Sequence, residues 1–251
     1  MLSKRVIPVL LINNKKLIHR INYNKKNEIY VGDPLNAIKV FNDLKVHELI
    51  LLDVSATINS RIDFEFLRDL SSEAFFPVAY GGGINNINDA ERIINLGFDK
   101  IIINRNNFLN LNFLTDCSKL LGAQSVLVNI DVIKLNNKYY IYDYLKNSSI
   151  NIELKDFLND LKKQSFGEIL ISSVNNDGAF TDCDLQLITT VCTHIDSHFL
   201  YKGGLSSYDE ILKILKEPVS AVCASSLFIM KKKNGGIVLN YPSFSAKDLL
   251  Q

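Results

Sequence analysis

Cysteine is sparse and poorly placed for metal or disulfide chemistry. Cys117, Cys183, Cys192 and Cys223 never stand at C-x-x-C spacing, which argues against a zinc site and a disulfide framework and for a reducing, cytoplasmic setting. Histidine is equally scarce. Of His19, His47, His194 and His198, only the last two share helical i,i+4 spacing, and no H-E-x-x-H motif or third ligand accompanies them. No metal and no cofactor is expected. Long apolar runs are missing too: none approaches the roughly 20 residues of a membrane span. The start, Met1 to Pro8, has a charge pair and a short apolar run without a small-residue cleavage site. The formal net charge is only +1, so no overall field draws the chain to nucleic acid or an anionic membrane. The triplet Lys231-Lys232-Lys233 is expected to be a solvated helix or loop end.

With 47% hydrophobic residues in 251, the chain can bury a large core. Its apolar runs are short and do not alternate, as in parallel strands covered on both faces. They fall at 6–11, 49–53, 78–80, 101–104, 126–131, 169–172, 199–202 and 221–224. Helical spacing fills the intervals at 34–44, 62–71, 88–96, 108–121, 154–164, 185–193 and 208–215. Asn88 and Asp184 are candidate caps, and Pro34 suits a first helical turn. Lys138 to Tyr142 reads as a hairpin inserted after the fifth strand. No linker interrupts the series, so 1–251 is expected to be one α/β domain. Eight strand-helix units in about 250 residues match a (β/α)₈ TIM barrel.

A repeat strengthens that choice. Val78-Ala79-Tyr80-Gly81-Gly82-Gly83-Ile84 returns later as Phe199-Leu200-Tyr201-Lys202-Gly203-Gly204-Leu205. Strand 49–53 pairs in the same way with 169–172, and Asn104-Arg105 with Ser225-Ser226, as two duplicated half-barrels require. Residues just after barrel strands face the catalytic mouth. Gly82, Gly83, Asn104 and Arg105 therefore form one rim, and Asp177, Gly178, Gly203, Gly204, Ser225 and Ser226 the other. Glycine turns with short donors suit backbone capture of phosphate. Two such rims fit a long ligand with a phosphate at each end. Asp53, Asp131 and Asp177 also reach the mouth; Asp131, delivered by the apolar run 126–130, is the best acid/base candidate.

Together with Leu2-Ser3-Lys4-Arg5-Val6-Ile7-Pro8, Gly32-Asp33-Pro34, Leu52-Asp53-Val54-Ser55-Ala56, Asp99-Lys100, Ile130-Asp131, Gly167-Glu168-Ile169-Leu170 and Asp177-Gly178, these glycine motifs resemble the cyclase subunit of imidazole glycerol phosphate synthase. The resemblance runs in order over nearly the whole chain. It implies a bisphosphate substrate at the mouth, a glutaminase subunit on the opposite face, and ammonia passing between them through the barrel. It also implies an ammonia gate formed by Arg5, Glu48, Lys100 and Glu168, with Asp99 at the glutaminase interface.

Several positions depart from the family. Asp131 matches the second of its two catalytic aspartates, but the first falls at Leu11, and leucine transfers no proton. The first-loop lysine falls at His19, a phosphate-site threonine at Arg105, and a serine of the second phosphate site at Lys202. Arg105 and Lys202 are expected to add positive charge at the rims. The alternative function these changes allow is a non-cyclising barrel that activates a glutaminase and passes ammonia to a third, sugar-amidating enzyme of surface polysaccharide synthesis.

Overall fold

The computed structural model describes residues 4–105, 109–195, 197–231 and 235–244. Expectations for Leu2, Ser3, Phe108, Lys232 and Lys233 lie outside them.

All eight expected strands are present, each within a few residues of its apolar run. They are β1 (Arg5–Asn13), β4 (Leu49–Asp53), β5 (Val78–Gly81), β6 (Lys100–Ile103), β7 (Val126–Leu135), β10 (Glu168–Ser173), β11 (His198–Lys202) and β12 (Ala221–Ala224). Each pairs in parallel with the next, and β12 returns to β1, so the sheet closes. Closure explains why these strands are apolar without alternation. Inward residues such as Ile7, Ile50, Leu127, Leu170 and Leu200 form one buried cluster, and outward residues form another beneath the helices.

The helices among the described residues are α1 (Pro34–Asp43), α2 (Val54–Asn59), α3 (Phe64–Glu73), α4 (Ile87–Asn95), α5 (Asn112–Leu121), α6 (Leu154–Leu161), α7 (Leu185–Cys192), α8 (Tyr208–Ile214) and α9 (Ser226–Ile229). Pro34 occupies the first turn behind the cap Asp33, and Asp184 caps α7 by accepting from the Leu187 amide at 3.0 Å. The cap of α4 is Asn86 rather than Asn88, its carboxamide oxygen accepting from the Asp89 amide at 2.9 Å. Asn88 is the second residue of the helix, past the cap position. His194 sits in the turn after α7 and His198 opens β11, so their i,i+4 spacing does not place them on one helix.

Additional strands decorate the mouth. β7 runs past Asp131 and pairs antiparallel with β8 (Lys138–Asp143), the expected hairpin, which continues into β9 (Ser148–Glu153). The first loop forms β2 (Lys16–His19), paired with the end of β1, and β3 (Ile29–Gly32).

The duplication is visible in backbone geometry. Gly82 and Gly203 have φ of 138° and 134°, and Gly83 and Gly204 have 68° and 79°. Register aligns Leu11 with Leu52 in one half and Asp131 with Ser172 in the other, at the same sequence offset. Leu11 is therefore the internal counterpart of Asp131.

Candidate active site at the barrel mouth

The strand ends enclose a cavity of about 160 Å³. Its lining includes Leu11, Asp53, Gly82, Gly83, Asn104, Arg105 and Asp131, the expected first-half group with both positions that the family resemblance aligns with catalytic aspartates. A separate small hollow is lined by Asp177, Gly178, Gly203, Gly204, Ser225 and Ser226, the whole second-half group. Each rim is assembled as the repeat implied. The glycines are required by space as well as conformation. A Cβ on Gly82 would strike the Asp53 carbonyl, and one on Gly204 the Asp182 carbonyl, with φ already in the left-handed region. Gly204→Ala is expected to cost about 2 kcal/mol in urea unfolding, far above the ±0.5 kcal/mol or so of a neutral surface change.

Asp131 is 4% exposed and surrounded by donors. Its Oδ1 accepts from the Tyr23 hydroxyl at 2.7 Å and the Asn129 amide at 3.2 Å, and its Oδ2 from the Asn104 amide at 2.7 Å. Ser172 donates in turn to the Asn129 carboxamide oxygen at 3.1 Å. Burial raises the Asp131 carboxyl above the ordinary aspartate value, partly opposed by Tyr23, Asn104 and the Lys202 charge. A raised value suits a group that exchanges protons near neutrality. The Tyr23 phenol is pushed well up, first by burial and then by the Asp131 charge, and stays protonated. The opposite half has no such network, because the counterparts of Asn129, Asp131 and Ser172 are Val9, Leu11 and Leu52.

The remaining predicted residues take distinct places. Asp53 caps α2: its Oδ1 accepts from the Ala56 amide at 2.8 Å and the Ser55 hydroxyl at 2.6 Å, while burial raises its carboxyl. Arg105 reaches across to Asp143 at 3.2 Å. His19 is buried beside Gly178 and lines neither chamber; burial, partly opposed by Asp177, lowers its imidazole and keeps it neutral. Lys202 does not present free charge at the rim. Its side chain is 1% exposed and its ammonium donates to Asp177 at 2.5 Å, because the strand alternation turns it inward.

Tyr23, Arg20, Asp143 and Tyr144 escaped sequence reasoning, though all line the cavity. Arg20, Tyr23 and Tyr144 sit on loops and Asp143 ends β8, and contacts such as the hydrogen bond from Arg20 to the Tyr144 hydroxyl are long-range. Asn129 alone left a signal, as a polar residue inside an apolar run.

At the other end of the barrel, Arg5, Glu48, Lys100 and Glu168 close a ring. Arg5 bonds Glu48 at 2.6 Å and also Glu168, and Lys100 bonds Glu48 at 2.8 Å and Glu168 at 2.6 Å. Burial works upward on the Glu168 carboxyl, but Arg5 and Lys100 together hold it below the ordinary glutamate value. Asp99 is exposed on this face, its Oδ2 accepting from the Val78 amide at 2.9 Å.

A closed parallel barrel with a carboxylate and two glycine-rimmed chambers at its strand C-termini has the layout of a (β/α)₈ enzyme. Residues 5–234 match the histidine biosynthesis protein family, and the chain belongs to that family. It is similar over 251 residues, at 33% identity, to a provisionally named imidazole glycerol phosphate synthase subunit, hisF3, of Vibrio vulnificus, spanning 98% of this chain and 96% of that one. It is 34% identical over 233 residues to the imidazole glycerol phosphate synthase subunit HisF of Lactococcus lactis, spanning 91% of this chain and 89% of that protein. The corresponding subunit of Dictyoglomus turgidum is 32% identical over 231 residues, 91% of this chain and 90% of its own length.

Proposed function

We propose that this barrel is the ammonia-using, synthase-type subunit of a glutamine amidotransferase, working in the cytoplasm. A glutaminase binds the floor, where Asp99 is exposed, and releases ammonia beneath the ring of Arg5, Glu48, Lys100 and Glu168. The closed ring is the observation that carries this reading. It seals the floor with two cations and two carboxylates, so opening it for a neutral molecule leaves no net charge unpaired. Above it the apolar interior favours ammonia over ammonium, which would lose its hydration. At the mouth, a phosphorylated ligand held by the glycine rim meets ammonia beside Asp131, which takes up or returns the proton.

Ammonium salt replacing glutamine tests this directly. Steady-state formation of imidazole glycerol phosphate is the expected result, and no turnover removes the synthase assignment. Leu11 favours a second reading, in which the barrel closes no ring and hands ammonia to a separate sugar-amidating enzyme of surface polysaccharide biosynthesis. Co-purification of the glutaminase with such an enzyme supports it; a glutaminase alone, with full cyclase turnover, rules it out.

A further inference from the structure

The loop between β2 and β3 puts a tyrosine where its backbone favours glycine. Residues Ile21 to Asn24 form a tight turn, closed by the Asn24 amide donating to the Ile21 carbonyl at 2.9 Å. The two central residues, Asn22 and Tyr23, have φ of 51° and 59°. Glycine, asparagine and aspartate dominate such positions, and a bulky side chain in the left-handed region is strained. Contacts made beyond the turn must offset that strain.

Those contacts lead to Asp131. The Tyr23 ring lies edge-on to Tyr142 and Tyr144, with centroids 6.0 and 6.2 Å away. The Asn22 amide ties the turn down by donating to the Asp177 carbonyl at 2.7 Å. With the ring held, its hydroxyl donates to Asp131 Oδ1 at 2.7 Å. An ionised carboxylate has about two acceptor positions on each oxygen. The Tyr23 hydroxyl and the Asn129 amide fill those of Oδ1, and the Asn104 amide takes one of Oδ2. What is left is one position on Oδ2, in a cavity that Asp131, Tyr23 and Leu11 all line.

We propose that Tyr23 is the positioning residue of Asp131: its hydroxyl holds the carboxylate oriented and anionic as a solitary acid/base group, so that protons enter and leave through Oδ2. The inference rests on the proposed function in taking Asp131 as the group that exchanges the proton. It deepens that reading by saying how one aspartate serves where Leu11 supplies no second. The charged and titratable groups facing the pair are Lys202, 5.4 Å from the Tyr23 ring centre, Asp177, and the Tyr142 and Tyr144 phenols. Lys202 is already bonded to Asp177, which offsets its charge. Of the groups that oppose burial at Asp131, the Tyr23 hydroxyl comes first.

Carbon-13 NMR titration of the carboxyl signals in the free chain tests this, with Asp131→Asn assigning the Asp131 signal. In Tyr23→Phe, which keeps the ring and loses the hydroxyl, the Asp131 midpoint should move to higher pH. Tyr142→Phe removes a neighbouring hydroxyl that donates to Asn147 at 2.8 Å instead, and should leave the midpoint in place. An unchanged midpoint in Tyr23→Phe, or an equal movement in Tyr142→Phe, would overturn the inference. Within the wild type, the Tyr23 Cζ signal should shift with the Asp131 midpoint. A Tyr23 signal blind to Asp131 sinks the proposal even where Tyr23→Phe fails to fold. In ammonium-driven turnover, Tyr23→Phe should lower kcat about tenfold, the loss of one hydrogen bond to a charged group, and move the acid limb of the pH profile upward. An unmoved limb counts against the inference. The titrations use no ammonia, glutaminase or substrate, so they can succeed where the ammonium assay fails and fail where it succeeds.

Discussion

Lys202→Met is expected to lower the free energy of unfolding by about 3–5 kcal/mol, the usual cost of leaving one member of a buried ion pair alone. Methionine keeps most of the lysine stem, so little packing is lost and the effect reads the charge. The stranded group is Asp177, 5% exposed by side chain, which otherwise accepts the Lys202 ammonium at 2.5 Å. Removing both charges, as Lys202→Met with Asp177→Asn, should recover most of the loss, because a neutral pair of similar volume replaces an ionic one. Urea unfolding of the wild type, both single variants and the double variant gives the coupling energy. A Lys202→Met loss below about 1 kcal/mol, the level of exposed pairs, would show that the pair is not buried as described.

This pair also marks a limit of what the sequence conveys. The barrel itself was legible because each inward and outward strand position is buried, which writes an apolar run into the chain at every strand. The glycine turns were legible because their left-handed φ and the nearby Asp53 and Asp182 carbonyls exclude a side chain. The first-loop strands β2 and β3 were not. They are four residues each, and β3 exposes Ile29 and Tyr30, so neither pattern nor length separates them from a loop. Helix α2 was missed because Asp53 ends a strand and caps the helix at once, leaving no turn between them.

At the site, the ring on the floor was legible only through the family resemblance, which singled out four charges at or just before strand starts. What Lys202 does was not. Rim charge was expected from its place beside Gly203, whereas the side chain turns inward to a partner 25 residues away. Tyr23 was invisible for the same reason. Its hydroxyl meets Asp131 across 108 residues, and nothing local to Asn22-Tyr23-Asn24 encodes that contact.

Lys100→Met should have the second large effect. Lys100 bonds both Glu48 and Glu168, whose side chains are 5% and 11% exposed, so its loss leaves two carboxylates facing a single Arg5. A fall of about 3 kcal/mol at neutral pH follows. The pH dependence has a definite sign. In the wild type the cations hold the Glu168 carboxyl below its ordinary value against burial. Its contribution is present above the ordinary glutamate value and fades as pH falls through the lower folded one. Without Lys100, burial acts with one fewer opposing charge, so Glu168 titrates higher and takes up a proton more readily. The gap between wild type and variant should therefore be widest above the ordinary glutamate value and close as the solution is acidified. A gap that stays constant with pH would place the effect in packing rather than charge. If a glutaminase binds the floor as in the proposed function, the same variant should break the seal proposed for the ring. Chemistry supported by added ammonium should persist while product formed per glutamine hydrolysed falls, and unchanged glutamine coupling would refute the gate.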